Sequence, residues 1–236
     1  MRVLSSVCAV IPTLNSQTHL PILLAQLIEE IGRIVVSDGG SMDQTLTRAA
    51  DYKVQFVHGF KGRGSQLARG AKWAGSAQWY LFIHCDSRLP ANWAKLVQKH
   101  IERFPEKAAF FQFGADTPMW QGRLMEFIVG LRNIFWHLPY GDQGLLISKE
   151  MYEALGGYND IPLFEDVDLI ERFKTQFGPR RLRRLGAQIQ TDVSAYKRDG
   201  FRERTLRNFR LWKAYKAGEN IESLNQTYIS PVTKEI

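Results

Sequence analysis

Hydrophobic positions in the first half of the chain fall into short apolar runs separated by stretches with helical spacing. VCAVI (7–11) has strand length and ends at Pro-Thr-Leu-Asn, and LPILLAQLIEEI (20–31) then repeats apolar residues at helical intervals. RIVVSDGGS (33–41) is a β-branched run that stops at Asp-Gly-Gly, and a helical stretch follows from Asp43 to Ala50. VQFVHG (54–59) predicts a third strand, GRGSQLARGAKWAG (62–75) a glycine-bounded helix, and WYLFIHCD (79–86) a fourth strand running into polar residues. Beyond Pro90 the pattern predicts a helix over 92–104, a strand over 108–115, an aromatic-rich helix over 121–138 and a turn and strand over 140–148. A short helix at 151–158 closes on Gly156-Gly157. Helices over 164–177, with an acidic first turn, and 200–217, basic and amphipathic, complete the pattern.

Strands that alternate with helices predict right-handed βαβ units: an α/β fold with a mainly parallel central sheet flanked by helices. In such sheets ligands bind beyond the carboxyl ends of the strands, which here carry Thr13 to Asn15, Asp38 to Gly40, Lys61 to Gly64 and His84 to Asp86. No repeat or linker composition breaks the chain. The expected organisation is one domain over residues 1–200, with the basic helix and tail of 201–236 packed on it.

The chain has 236 residues, 44% of them apolar, enough for a substantial core. The start lacks a secretory signal, because its apolar stretch breaks at Pro12, so the mature chain is expected to begin at Met1. No run approaches the ~18 apolar residues of a membrane span. Cys8 and Cys85 each lie in an apolar run, which favours reduced thiols and a cytoplasmic setting. The net charge of +7 is concentrated in 172–184 and 197–216. That excess fits a solvated basic face, or a patch that meets phosphates or lipid headgroups.

Four groups of residues offer chemistry. Asp86, just past an apolar strand, places a carboxylate where it can hold a hard divalent ion beside a diphosphate, although a loop-capping role is as ordinary. His84 lies two residues back, on the same strand face, as a second ligand or a core histidine. Glu165, Asp166 and Asp168 crowd one helical turn, where repulsion and burial can raise a pKa toward general-base use, or where the acids simply complement the helix dipole. SDGGSMDQT (37–45) offers amides and a carboxylate to a ribose or base edge, and is also an ordinary turn. Lys61 and Arg63 stand in a glycine-bounded loop ahead of a helix, suited to phosphate or base contacts. The P-loop spacing, the GxGxxG fingerprint, zinc-ligand spacing and the GxSxG elbow are all missing from the sequence.

Taken in order, VCAVIPTLN, VVSDGGSMDQT, GRGSQLARGA, LFIHCDSRLP, YGDQGLLIS and FEDVDL resemble the motifs of family 2 glycosyltransferases with the GT-A fold, across roughly residues 6–170. SAYKRDGFRERTLRNF further resembles a stretch of the bacterial arsenosugar-biosynthesis-type subgroup. The resemblance implies that Pro12, Thr13, Asn15 and Asp38 hold the nucleotide base and ribose, with Arg63 near the nucleotide. It implies Asp86 as the carboxylate that binds Mn2+ or Mg2+. The family's usual Asp-x-Asp has His84 in its first place here. The Glu165-Asp166 pair matches the family's Glu-Asp, whose Asp deprotonates the acceptor, and Gly141, Asp142 and Gln143 would shape the acceptor side. The implied reaction is inverting transfer from a nucleotide-sugar, UDP-sugar by family weight, to a hydroxyl acceptor.

The aromatics from Trp120 to Tyr140 most simply read as core, with an acceptor groove or a membrane-facing helix as the other readings. A lipid-linked acceptor and peripheral contact at the inner face of the membrane stay open on that ground. A nucleotidyltransferase, a catalytically idle nucleotide-sugar binder and a nucleic-acid-binding domain are the rival readings. Acids at several strand or loop ends argue against nucleic acid as a partner.

Overall fold

The computed structural model of the protein describes residues 4–230. Its first half alternates β1 (Leu4–Thr13), α1 (Leu20–Leu27), β2 (Ile31–Asp38), α2 (Thr45–Ala49), β3 (Gln55–His58), α3 (Arg63–Lys72) and β4 (Trp79–Phe82). Next come β5 (Ser87–Arg88), α4 (Trp93–Arg103), β6 (Ala108–Ala115), α5 (Trp120–Trp136), β7 (Leu145–Ser148) and α6 (Lys149–Ala154). The chain continues with α7 (Glu165–Phe177), β8 (Leu182–Thr191), α8 (Ser194–Asp199), α9 (Phe201–Lys216) and α10 (Ile221–Ile229).

The strands form one sheet in the order β3-β2-β1-β4-β7-β6-β8-β5. From β3 to β4 all pairings are parallel, as expected of βαβ units. Beyond β4 the sheet is mixed, because β7 runs antiparallel to both β4 and β6, while β6 and β8 are parallel. That reversal has a functional consequence. Leu145 at the start of β7 pairs with Phe82 at the end of β4, so the 3-10 turn Gly141–Gln143 is delivered to the same sheet edge as His84 and Asp86.

Helices cover both faces. Ala9 and Ile11 of β1 point to the layer of α1 and α4, whereas Cys8 and Val10 point to α3, α6 and α7. All four residues are fully buried, which explains why β1 reads as a continuous apolar run rather than an alternation. On the second face α3 lies so close to β1 that a Cβ on Gly70 would run into Val10 Cγ1.

Two segments depart from the sequence reading. LRRLGAQIQT, for which no strand was predicted and whose first three residues end the basic stretch 172–184, forms the ten-residue strand β8. Its alternation is broken by a register shift opposite Phe110 and Gln112, and Arg183 lies over the Phe104 ring at 4.3 Å. The second departure is α5. Its inner face against β6 carries buried Gly122 and Asn133, while Trp120, Phe127, Phe135 and Trp136 are exposed, so the expected core role of these aromatics is overturned.

The C-terminal helices pack through Leu211 and Leu224 onto Leu163, with the Tyr215 ring tilted on Phe164 at 4.9 Å. Among the described residues no helix is long and apolar enough to cross a membrane.

Gly70→Val should destabilise the protein by about 2 kcal/mol, because overpacking against Val10 outweighs the few tenths of a kcal/mol gained in helix propensity. The expected reading is a lower urea midpoint at unchanged slope, and an unchanged midpoint would show that β1 and α3 have room to part.

Candidate active site

The nucleotide-side residues gather at the ends of β1 and β2, where Thr13 pairs with Asp38. Pro12 and Thr13 are buried, and Asn15 adopts a left-handed conformation at φ 47°. Asp38 is committed locally: its carboxylate accepts from the amides of Gly40 and Ser41 at 2.9 Å each, and from the Ser41 hydroxyl. Asn15 completes this loop, its amide donating to Ser41 Oγ and its Oδ1 accepting from the Met42 amide. Gln66, which sequence reasoning missed, is buried and donates from Nε2 to the carbonyls of Thr13 and Ser37 at 2.9 Å each. It ties both strand ends to α3, whose first residue is Arg63.

Arg63 donates to Glu165 Oε1 at 3.3 Å, joining α3 to the start of α7. Glu165 is only 2% exposed, and Arg63 keeps 45% of its side chain accessible. Burial raises the pKa of Glu165, and Arg63 opposes that rise. The backbone entering this turn is strained, because Phe164 adopts φ 62°, a left-handed conformation unusual for an aromatic residue. Packing of its ring on Tyr215 helps hold it there.

Asp166 is fixed by two backbone donors. The Gly141 amide donates to Oδ2 at 2.6 Å and the Val167 amide to Oδ1 at 2.7 Å. Gly141 is obligatory at this approach, since an added Cβ would lie 2.7 Å from His84 Nε2. Asp168, third of the crowded acids, turns elsewhere: it accepts from Arg172 at 2.6 Å and from Asn159 at 2.9 Å and so belongs to the scaffold.

Asp86 lies past the end of the strand as expected, but His84 does not lie on a strand face. β4 ends at Phe82, and the Ser87 amide donates back to the His84 carbonyl at 3.2 Å, closing a turn with Asp86 inside it. Pairing of Ser87 with Thr191 at the end of β8 pins that turn and brings Asp192 near it. Burial lowers the His84 pKa to about 3, with Arg63 adding to the effect, so the ring is neutral at pH 7. Burial also raises the pKa of Asp86, and His19 and Arg63 partly offset it.

Gln143 corrects another expectation. It is fully buried, donating to the Phe111 carbonyl at 3.0 Å and accepting from Arg132 at 3.0 Å, so it holds the turn from beneath and cannot face an acceptor. Arg132, also missed, lies over the Tyr140 ring at 3.5 Å. Asp142 and Gly141 remain at the site, and burial pushes the Asp142 carboxyl up to about 6, with Asp166 and Asp86 contributing.

The sheet edge therefore assembles Asp86, Asp142, Glu165 and Asp166 around Arg63, with the Thr13, Asn15 and Asp38 loop on the far side of Gln66. Among the described residues no three His, Cys, Asp or Glu side chains stand close enough to hold a metal ion by themselves. A divalent ion here would need oxygens from a bound diphosphate or water beside Asp86, an arrangement hard cations commonly accept.

Residues 8–147 match the glycosyl transferase family 2 profile. The chain belongs to glycosyl transferase family 2. No protein of curated function matches the sequence. Among solved structures, mannosyl-3-phosphoglycerate synthase from Rubrobacter xylanophilus is similar at 16% identity, over 91% of this chain and 75% of that one, with a TM-score of 0.60. Glucosyl-3-phosphoglycerate synthase from Mycobacterium tuberculosis, in complex with Mn2+, UDP-glucose and phosphoglyceric acid, is 16% identical over 78% and 70% of the two chains, with a TM-score of 0.56. S. aureus TarS in complex with UDP is 15% identical over 82% and 61%, with a TM-score of 0.60. At these identities the likeness establishes the shared GT-A fold. The family, in turn, sets aside the nucleotidyltransferase reading of this glycosyltransferase.

The raised Asp142 carboxyl has a consequence for stability. A group whose folded pKa exceeds its unfolded value favours folding when protonated, so its contribution is complete below about pH 4 and lost as pH rises through about 6. Asp142→Asn should remove that loss, making the variant more stable than wild type at pH 7 by on the order of 2 kcal/mol. The two should converge near pH 4. Urea unfolding between pH 4 and 7 measures the difference, and parallel curves would contradict the burial of this charge.

Proposed function

We propose that this glycosyltransferase moves a sugar from a UDP-sugar to a hydroxyl acceptor with inversion, Asp166 serving as the general base. The observation that supports it most is the fixing of Asp166 by the Gly141 and Val167 amides, within a sheet edge that gathers more carboxylates than cations. Each Asp166 oxygen retains a lone pair beyond its amide bond, and one of these takes the acceptor proton. The acceptor oxygen then attacks the anomeric carbon as the bond to the diphosphate breaks, and UDP leaves on the opposite side.

Thr13, Asn15 and the Asp38 loop form the floor for the nucleoside. Because Asp38 is occupied by its own loop, it shapes that floor through Gly40 and Ser41 unless a ribose displaces them. Arg63, held by Glu165, offers the accessible part of its guanidinium to the nucleotide. Asp86 is the carboxylate for Mn2+ or Mg2+, and His84, uncharged at neutral pH, is the second candidate ligand. When bound, the ion neutralises the leaving diphosphate. The similar Mycobacterium tuberculosis structure that contains Mn2+ and UDP-glucose supports a role for a divalent ion. Gly141 and Asp142 border the acceptor. Two free cysteines agree with a cytoplasmic setting.

Asp166→Asn should lower turnover by roughly 100-fold to 10,000-fold while leaving UDP affinity near wild type. Release of UDP from UDP-glucose, UDP-galactose and UDP-N-acetylglucosamine, with water or added hydroxyl compounds, provides the rate. A variant that keeps wild-type turnover would remove Asp166 from the chemistry, and a wild type that binds UDP but never releases it from a sugar would favour an idle relative.

A further inference from the structure

The helix α5 carries apolar residues on both of its faces. Its inner face packs Met125 and Val129 against Phe113 and Ala115 of β6, beside buried Gly122 and Asn133 and Glu126, whose carboxylate accepts from the Ala115 amide at 3.0 Å. Its outer face is apolar. Trp120, Leu124, Phe127, Leu131, Ile134 and Phe135 recur at helical spacing along one stripe, all exposed except the half-buried Leu131. Trp120 and Phe135 are each 68% exposed and Phe127 63%, values far above those of a packed aromatic. A contiguous apolar strip of this kind along a helix of 17 residues, about 25 Å long, marks a surface that meets something apolar.

The surroundings of the stripe are cationic. Trp120 shares a surface depression of about 550 Å³ with Lys197, Phe201 and Arg202, where the start of α9 lies beside α5. Along α9 the exposed positions again mix apolar and basic side chains, Leu206 and Phe209 among Arg202, Arg210 and Lys213. Arg123 stands at the other edge of the stripe with 64% of its side chain exposed. Aromatic and aliphatic side chains flanked by arginine and lysine suit an anionic lipid interface, where rings sit at headgroup level and the cations meet phosphates.

A second copy of the chain fits less well. Two-fold self-contact through the stripe would lay Arg123, Lys197 and Arg202 against the same cations of the other copy. We propose that α5, with the basic face of α9, docks this protein on the surface of an anionic phospholipid bilayer. The chain lies on the bilayer without spanning it. At its C-terminal end α5 leads through Leu138 to Tyr140 and Gly141, whose amide binds Asp166, so the bilayer meets the protein beside the proposed acceptor side.

Flotation with phosphatidylcholine vesicles, with and without phosphatidylglycerol, tests the surface without any UDP-sugar, so its outcome is separate from that of the transferase reading. Wild type should float with the phosphatidylglycerol vesicles, less so with phosphatidylcholine alone, and less at high salt. Trp120→Ala/Phe127→Ala and Lys197→Gln/Arg202→Gln, all at exposed positions, should each lose about tenfold or more in partitioning at an unchanged thermal midpoint. The proposal is overturned if wild type stays free of anionic vesicles, or if the aromatic double variant binds them as wild type does. It is overturned equally if sedimentation shows a dimer that the aromatic double variant abolishes while vesicle binding persists.

Discussion

The structure turns on an imbalance of charge at one end of its sheet. Asp86, Asp142 and the adjacent Glu165 and Asp166 are brought together from three separate points in the chain's topology, and Arg63 is a cation that acts on Asp86, Asp142 and Glu165 alike. Asp166 and Asp86 both work against ionisation of Asp142, so the arrangement is costly while it has no further cation. Burial compounds this, pushing Asp142 up to about 6. On the proposed function, a divalent ion relieves this imbalance and then brings in the diphosphate of a nucleotide-sugar. Removing Arg63 would strand Glu165, which is 2% exposed, as an uncompensated buried acid.

Much of the rest of the fold holds these acids where they are. The antiparallel β7 delivers Gly141 to the end of β4, buried Gln143 pins the turn to β6, and a strained Phe164 opens α7 so that Glu165 meets Arg63 while Asp166 meets Gly141. Gln66 couples this half of the edge to the β1 and β2 ends. Positioning by backbone amides and buried side chains lets Asp166, the proposed base, be oriented before any ligand arrives.

The parallel half of the sheet was legible because β1, β2 and β4 are buried along most of their length and Asp38, Arg63 and Asp86 follow the strands in motif order. β8 was not, since two arginines and a bulge masked its period, and with it went Asp192 beside Asp86. Spacing showed α5 to be a helix and could not show which side faced in: β6 takes Gly122, Met125, Val129 and Asn133, and the larger apolar stripe is left outside. Likewise Gln143 and Asp38 were visible as polar residues near a ligand edge. Their hydrogen bonds, which commit one to the turn beneath the site and the other to its own loop, are tertiary facts. Gln66 left no local signal, because it acts on carbonyls far along the chain, and Arg132 left none because its partners lie across the turn that follows α5.

The claim on which everything else rests is that this acid-rich edge takes a cation before it takes a diphosphate. Calorimetric titration with UDP, with and without Mn2+, on wild type and Asp86→Ala tests it directly. UDP binding that requires Mn2+ in wild type, and disappears in Asp86→Ala under the same conditions, is the predicted result. Equal UDP affinity with and without the ion, unchanged by the substitution, would contradict it.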